Sequence, residues 1–415
     1  MERKVSEQLV IFLVGAVQVI NIMDFVMVMP MGPYFAEALK ISKSELGHVA
    51  GSYTLAAAVS GLAGSFFLDR FDRRKALLWS MLGLVAGTAA GGLATGMTSL
   101  QAARVIAGLF GGPATSVSLS IIADVVPQER RGKALGAVMG AFSVASVVGI
   151  PAALFVCQWQ GWRTPFIALA LLGAAVSIGA VLYLPPMTGH LAAARAQAGH
   201  RLQAVLGLFT RPLILNSYAM TATAMMSGFI LIPNIPAFVL GNLHYPRERY
   251  GLLYFAGGIV SFFAMRWVGQ LVDRFGSFSV GTVGVGMQIV VLYVGFVHSP
   301  QLLPVVMIFM AFMLANSFRN VAYSTLANKV PGPTERAQFM SIQSSVQHLA
   351  SSLGAIVSSW MLSEGAGGLL VGIDNVAYVS IGLTLTLPIF LYSVEGQVRR
   401  RAAAAAPTSA LHPIH

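Results

Sequence analysis

Apolar residues run along this chain in long blocks, and polar residues gather between the blocks instead of alternating with them. Measured against the roughly 20 residues a helix needs to cross a hydrocarbon core, the blocks predict twelve spans. They lie near residues 8–31, 45–68, 76–96, 98–123, 134–157, 164–184, 212–239, 248–272, 279–298, 301–327, 337–361 and 372–394. Helices are the expected form, because backbone groups in lipid must bond within their own segment and no period-2 alternation marks barrel strands. The first block is longer than the apolar core of a secretory signal and lacks a small-residue cleavage site, so it reads as a retained first helix. The longest polar connection, 185–211, separates six blocks from six. The expected fold is an all-α membrane protein of twelve transmembrane helices in two pseudo-symmetric six-helix bundles, residues 1–184 and 212–396. Residues 185–211 are the linker, and 397–415 form a mobile tail that opens with Arg399, Arg400 and Arg401.

Composition agrees with this pattern. The chain is 56% hydrophobic and 10% charged, with a mean hydropathy of +0.74, too apolar to cover its surface as a water-soluble fold. In a soluble protein the net charge of +11 would point to an acidic partner, but here its distribution decides. Of the 26 Lys and Arg, 18 fall in the tails and the loops of one side, 5 in the opposite loops and 3 inside the spans. That asymmetry places both termini in the cytoplasm of a multi-pass protein of the cell membrane. The single cysteine, Cys157, can form neither an intramolecular disulfide nor a metal cluster.

The two sets of spans repeat. A shift of 204 residues lays Asp69-Arg70-Phe71 on Asp273-Arg274-Phe275 and Val126-Pro127 on Val330-Pro331; one inserted residue then lays Arg131 on Arg336 and Gly149 on Gly354. Six-plus-six symmetry suits a transporter that rocks two bundles about a central site. Gly83, Gly87 and Gly91, and again Gly132, Gly136 and Gly140, recur at every fourth position and are expected to form ridges of close helix packing.

Asp24 is the one acid set well inside an apolar block, and Arg104 is one of three arginines inside spans. Each lies about six residues from the same membrane face, roughly 9 Å deep at 1.5 Å per residue, so they can meet in the outward half of the first bundle. Burial favours the protonated form of an acid and a guanidinium favours the ionised form, so such a pair can exchange protons. It can also be a static buried salt bridge.

Three stretches carry a family resemblance. The run Ser65-Phe-Phe-Leu-Asp69-Arg70-Phe71-Asp72-Arg73-Arg74-Lys75 resembles the loop signature of the major facilitator superfamily, Gly-x-x-x-Asp-Arg-x-Gly-Arg-Arg, with Ser65 and Asp72 in the glycine positions. Its second copy, Gly269 to Gly276, keeps both glycines. Leu100 to Gly108, around Arg104, resembles the family's fourth-helix arginine motif. Asp124, Pro127, Glu129 to Lys133, Gly149-Ile150-Pro151 and Gly161-Trp162-Arg163 are similar to the sugar-efflux-like branch of the drug:proton antiporters, although Ala152-Ala153 stands where Leu-Gly is usual. The resemblance implies an interbundle latch of Asp69, Arg70, Arg73, Arg74, Asp124, Asp273 and Arg274. It also implies a bend at Pro151, with Gly149 packing the helix against its counterpart in the other half.

A substrate cavity is expected from Asn21, Asn216, Tyr218, Thr221, Asn316, Arg319, Asn320, Tyr323, Gln343, Gln347 and His348, since polar groups in spans face a bundle interior or water. Arg319 could attract an anionic group or pair with carbonyls; His348 could carry protons or simply pack. Arg266 is expected to snorkel to the surface. Without a Gly-x-x-x-x-Gly-Lys-Ser/Thr motif, ATP drive has no support. The reading is a secondary transporter, not an enzyme, exporting a small organic molecule against proton entry. A proton-coupled importer or passive facilitator is the alternative, and a non-transporting membrane sensor the remote one. Expected partners are a small-molecule substrate, protons and lipid, with no nucleic acid, cofactor or metal, and the protein is expected to be a monomer.

Overall fold

A computed structural model describes residues 6–189, 191, 206–298, 304–332 and 335–405. Among the described residues, twelve long helical segments make up the fold. They are α1 (Glu7–Val26), α2 (Leu46–Phe67), α3 (Arg73–Gly92), α4 (Met97–Val125), α5 (Lys133–Gln160) and α6 (Arg163–Tyr183). The second six are α7 (Pro212–Asn242), α8 (Arg247–Phe275), α9 (Ser277–Val297), α10 (Val305–Ala327), α11 (Arg336–Met361) and α12 (Ile373–Ala405). Among the described residues nine of them are long and apolar enough to cross a membrane by length and composition alone. The other three, α2, α3 and α11, are richer in glycine, serine or charge, and they are packed heavily against other helices.

Helix ends follow local chemistry. Asp72 caps α3, its Oδ1 accepting from the Arg74 N–H at 2.9 Å and from the Met187 N–H at 3.0 Å; an aspartate at the usual glycine position thus ties the α2–α3 loop to the chain after α6. α8 stops at Gly276, whose φ of +88° suits glycine. Pro151 offers no N–H, and the turn before it, Ala145–Gly149, widens to π-helical geometry. α1 ends at Val26, five residues short of the expected 31, because Pro30 and Pro33 break the pattern and a short helix, Gly32–Leu39, follows. α12 continues through residues 397–405, expected to be tail, and Arg401 Nη1 there donates to Val330 O at 3.1 Å.

Within α1–α6, α4 packs on α2 and α3, and α6 on α3; within α7–α12, α10 packs on α8 and α9, and α7 on α11 and α12. The halves meet where α2 lies along α11 and α5 along α8. The α2–α11 approach needs glycine: a Cβ on Gly47 would sit 2.1 Å from Ala355 O. The expected ridge Gly83, Gly87, Gly91 does pack, against Phe110, Ala107 and Phe166. The second expected ridge does not. Gly136 has nothing within 4 Å and Gly140 meets only its own turn, while the Gly132 side lies outside the described residues.

α1 begins and α12 ends on the same face, called here the basic face for its loops around residues 70–75 and 130–133. Among the described residues, polar contacts between the halves cluster on the opposite face. A two-stranded hairpin, β1 (Ser363–Glu364) with β2 (Leu370–Val371), is antiparallel, with Ser363 opposite Val371 and Glu364 opposite Leu370. It presents Glu364 Oε2 to Ser42 Oγ at 2.8 Å and to the Lys43 N–H at 3.0 Å. Lys43 Nζ donates to Gly368 O at 2.7 Å, Arg247 Nη2 to Glu37 Oε2 at 2.8 Å, and Tyr250 Oη to Pro30 O at 3.3 Å. That face is therefore sealed.

Candidate functional site

Asp24 sits in the last turn of α1, fully buried. A helix C-terminus carries partial negative charge and unpaired carbonyls, so an acid there needs a compensating cation. Arg104, 1% exposed on α4, meets both needs: Nη1 donates to Asp24 Oδ1 and Nη2 to the Asp24 carbonyl, each at 3.0 Å. Thr88 of α3 adds a third bond, Oγ1 to Asp24 Oδ1 at 2.7 Å. Asp24 Oδ2 and Arg104 Nε have no partner. One carboxylate oxygen is thus held and the other has no hydrogen-bond partner.

Close packing places the neighbours. A Cβ on Gly108 would lie 2.3 Å from Tyr53 O, and that approach of α2 to α4 sets the Arg104 guanidinium 4.5 Å above the Tyr53 ring. Tyr53 Oη donates to Asn21 Oδ1 at 3.2 Å, and Asn21 Nδ2 donates to Thr115 Oγ1 at 2.7 Å and Gly111 O at 3.0 Å. Phe25, next to Asp24, stacks on Tyr53 at 5.3 Å and on Phe229 of α7 at 5.9 Å, and meets His348 of α11 edge-on at 6.4 Å. The acid is therefore one residue from the aromatic contact between the halves.

In the second half, Arg319 on α10 is 1% exposed and reaches α7, where Nη2 donates to Ala224 O at 3.1 Å and to Ser227 Oγ. These residues lie just before α7 breaks into the 3₁₀ turn Ile232–Asn234. Tyr323 Oη lies 3.9 Å from Met225 Sδ and accepts from Gln347 Nε2 at 3.4 Å. Asn316 and Asn320 are half-buried on α10, and Thr221 Oγ1 and Gln343 Oε1 are buried without a hydrogen-bond partner. Two residues expected in the cavity point elsewhere. Asn216 Nδ2 donates to Ser393 Oγ of α12 at 3.3 Å, and Tyr218 stacks on Phe339 with its hydroxyl on the Phe339 carbonyl.

Arg73 Nε donates to Asp124 Oδ2 at 3.2 Å, within the first half, and Arg74 Nη2 to Val181 O. Arg70, Asp273 and Arg274 are exposed, Arg274 lying over Phe275 at 5.2 Å; the Asp69 side chain is outside the described residues. Gly149 faces α1, where its Cβ would strike Met23 Sδ at 2.0 Å, so the expected contact with the other half is wrong. The close approach across that seam belongs to Gly258 of α8, whose Cβ would lie 2.7 Å from Ser146 O. Arg266 is exposed, over the Phe262 ring at 4.7 Å.

Sequence reasoning passed over Thr88, Tyr53, Phe25, Phe229 and Ser227. Thr88 carried a faint signal, a lone hydroxyl eight residues after Ser80 on a face of small residues. The aromatic residues carried none, since stripes of Phe and Tyr are ordinary packing in spans.

The family model described as Major Facilitator Superfamily matches residues 14–355 and 219–411. The chain belongs to that superfamily and is a multi-pass membrane protein. It is 24% identical over 237 residues to the MFS-type transporter YtbD of Bacillus subtilis (strain 168), and 26% identical over 247 residues to a chloramphenicol resistance protein of Streptomyces lividans. These matches cover 55% and 58% of this chain and 58% and 61% of those relatives. In structure it is similar to a D-xylose-proton symporter, with a TM-score of 0.73 at 18% identity over 94% of this chain and 98% of that one. It is equally similar to a mutant form of the nucleoside transporter NupG, with a TM-score of 0.73 at 13% identity over 94% and 100%.

Proposed function

We propose that this protein exports a small organic molecule by alternating access, coupled to inward movement of protons through Asp24. The buried Asp24–Arg104–Thr88 arrangement carries the reading, because it holds an exchangeable proton site one residue from the aromatic contact between the halves. Protonation removes the charge that Arg104 balances and weakens its Nη1 bond to Oδ1, while the Nη2 bond to the Asp24 carbonyl stays; the guanidinium then pivots on that bond and, with the Tyr53 ring against it, shifts Phe25. The relative named for chloramphenicol resistance favours export. Each proton entering supplies roughly 2.3 kcal/mol per 100 mV and about 1.4 kcal/mol per pH unit, enough for a tenfold to hundredfold solute gradient.

In this reading the lobes are residues 1–184 and 212–396, the basic face is cytoplasmic, and the conformation described is closed to the outside. Asp69, Arg70, Arg73, Arg74, Asp124, Asp273 and Arg274 form the latch of the outward-open state, and Pro151 supplies the flexible turn of α5. The cavity draws on Asn21, Thr221, Asn316, Arg319, Asn320, Tyr323, Gln343, Gln347 and His348. The protein works as a monomer in the cell membrane.

Inverted vesicles under an imposed pH gradient test this, using a panel of sugars, amino acids, hydroxy acids and lipophilic cations. Gradient-driven uptake of one class by the wild type, with Asp24→Asn keeping exchange but losing the pH response, is the expected result. Uptake by Asp24→Asn that still follows the gradient overturns the coupling, and accumulation in the reverse direction overturns export.

A further inference from the structure

The second half buries a cation that no acid neutralises. Arg319 is 1% exposed, stays protonated at neutral pH, and among the described residues pairs with no carboxylate. Its Nη2 is occupied by Ala224 O and Ser227 Oγ, but Nε and Nη1 have no hydrogen-bond partner. Three N–H bonds of a guanidinium, one on Nε and two on Nη1, are thus left without an acceptor. Elsewhere in the protein the same cost is avoided: Arg104, equally buried, is matched by Asp24. Since that pair cancels and Arg266 is exposed, Arg319 is, among the described residues, a buried positive charge with no acid beside it.

From this imbalance we infer that Arg319 is the charge-reading residue of the substrate site and that the transported molecule carries a carboxylate or a comparable monoanionic group. The inference rests on the transport reading and adds the substrate class. Its position supports it. The guanidinium grips α7 immediately before the break at Ile232–Asn234, and interrupted helices near mid-membrane are where transporters of this kind build ligand sites. Half-buried Asn316 precedes Arg319 by three residues on α10, close to one turn away along the same side of the helix. An incoming carboxylate satisfies those bonds and cancels the charge at once, so binding recovers part of the desolvation cost of the buried guanidinium.

The competing role for Arg319 is a clip between α10 and α7. Two variants separate them: Arg319→Gln keeps an amide donor for Ala224 O and Ser227 but loses the charge, and Arg319→Lys keeps the charge but loses the planar fork. The purified full chain in lipid nanodiscs is titrated with sodium acetate and sodium benzoate, and with acetamide and benzamide as neutral partners, at fixed sodium chloride, following thermal unfolding. Saturable stabilisation by a carboxylate and none by its amide is expected, with apparent affinity about tenfold or more weaker in Arg319→Gln and partly kept in Arg319→Lys. Equal effects of acid and amide, no saturable carboxylate effect in the wild type, or wild-type affinity in Arg319→Gln overturns the proposal. Should Arg319→Gln fail to fold, Arg319→Lys decides: benzamide binding as tightly as benzoate to that variant has the same overturning force. The readout involves neither protons nor transport, so a negative result leaves the Asp24 reading intact.

Discussion

The two halves solve one problem differently. In each, the first helix stops at an equivalent place, α1 at Val26 and the first α-helical segment of α7 at Phe229, and in each an arginine from the fourth helix binds a carbonyl of its last turns. Asp24 has one of the last four carbonyls of α1, which a helix leaves unpaired and lipid cannot satisfy, whereas Ala224 lies further in, five residues before Phe229; each arginine binds its carbonyl from the side. Arg104 does this while facing Asp24; Arg319 does it while facing only a carbonyl and a hydroxyl. Among the described residues the buried arginine of the first half is therefore matched in charge and that of the second is not, the difference on which the proposals for proton handling and for substrate charge rest.

The largest effect that can break this comparison is on stability. Arg104→Gln leaves Asp24 buried without its partner, and losing one member of a buried pair costs about 3–5 kcal/mol. Arg319→Gln removes a charge that has no partner, so its unfolding free energy should stay within about 1 kcal/mol of wild type or rise. Chemical unfolding in the same detergent measures both. Equal losses would show that the arginines do the same structural work and that the second half is not open in charge.

Much of this contrast was legible beforehand, and the reasons are physical. Asp24 and Arg104 stood out because a charge inside an apolar block is costly, and 1.5 Å of rise per residue put them at one depth. The doubling of the fold was visible because its loops repeat Asp-Arg-Phe and Val-Pro at a fixed offset. What could not be read was direction around the helix axis. Asn216 has the same polarity as Asn316, yet it turns to Ser393 of α12. Gly149 has the composition of a seam residue, yet it faces Met23 on α1 while Gly47 and Gly258 make the seams. A polar residue in a span announces that it avoids lipid, not which interior it faces.

The hydroxyls around the two arginines sharpen the comparison. Thr88 Oγ1 lies within bonding distance of both Asp24 Oδ1 and the Leu84 carbonyl, and a hydrogen bond to a carboxylate is worth up to about 1.5–3 kcal/mol, so Thr88→Val should lose at most that much and weaken the pH response of transport. Ser227 is already bonded to the Ala224 carbonyl as well as to Arg319, and Ser380 holds its backbone. Ser227→Ala should cost no more than Thr88→Val, and a larger cost would place a structural demand on Arg319 that the anion proposal does not contain.

The seams compare across the halves in another way. Gly47→Leu drives a side chain into Ala355 O on the sealed opposite face, and overpacking of this kind costs about 1–3 kcal/mol. It should shift the population toward opening of that face, seen as a longer spin-label distance between positions 42 and 364. The same probe on Gly136→Leu, where nothing lies within 4 Å, should report no change.

The smallest effect comes from the most symmetric feature. On the basic face Glu7 pairs with Arg130 at 2.9 Å, joining the start of α1 to the start of α5. At the positions 204 and 205 residues on, Arg211 pairs with Glu335 at 2.5 Å, joining α7 to α11 with the signs exchanged. Burial pushes the Glu335 carboxyl up, but the Gly332 N–H and the Arg211 guanidinium outweigh it and hold the group below the usual carboxylate range. A lowered folded value means the tie stabilises fully above the unfolded value, near pH 4.5, and is lost as the pH falls through the folded one. Arg211→Gln should therefore cost no more than about 1 kcal/mol near neutrality, as exposed pairs do, with the difference from wild type vanishing on acidification. Exchanging Glu7 and Arg130 tests the symmetry directly. Either single reversal sets like charges together, while the double reversal reproduces the sign order of the second half and should return stability to within about 0.5 kcal/mol of wild type. A double variant no better than the singles would mean that the first-turn acid matters to α1 through its helix dipole, and that the clamp is not interchangeable between the halves.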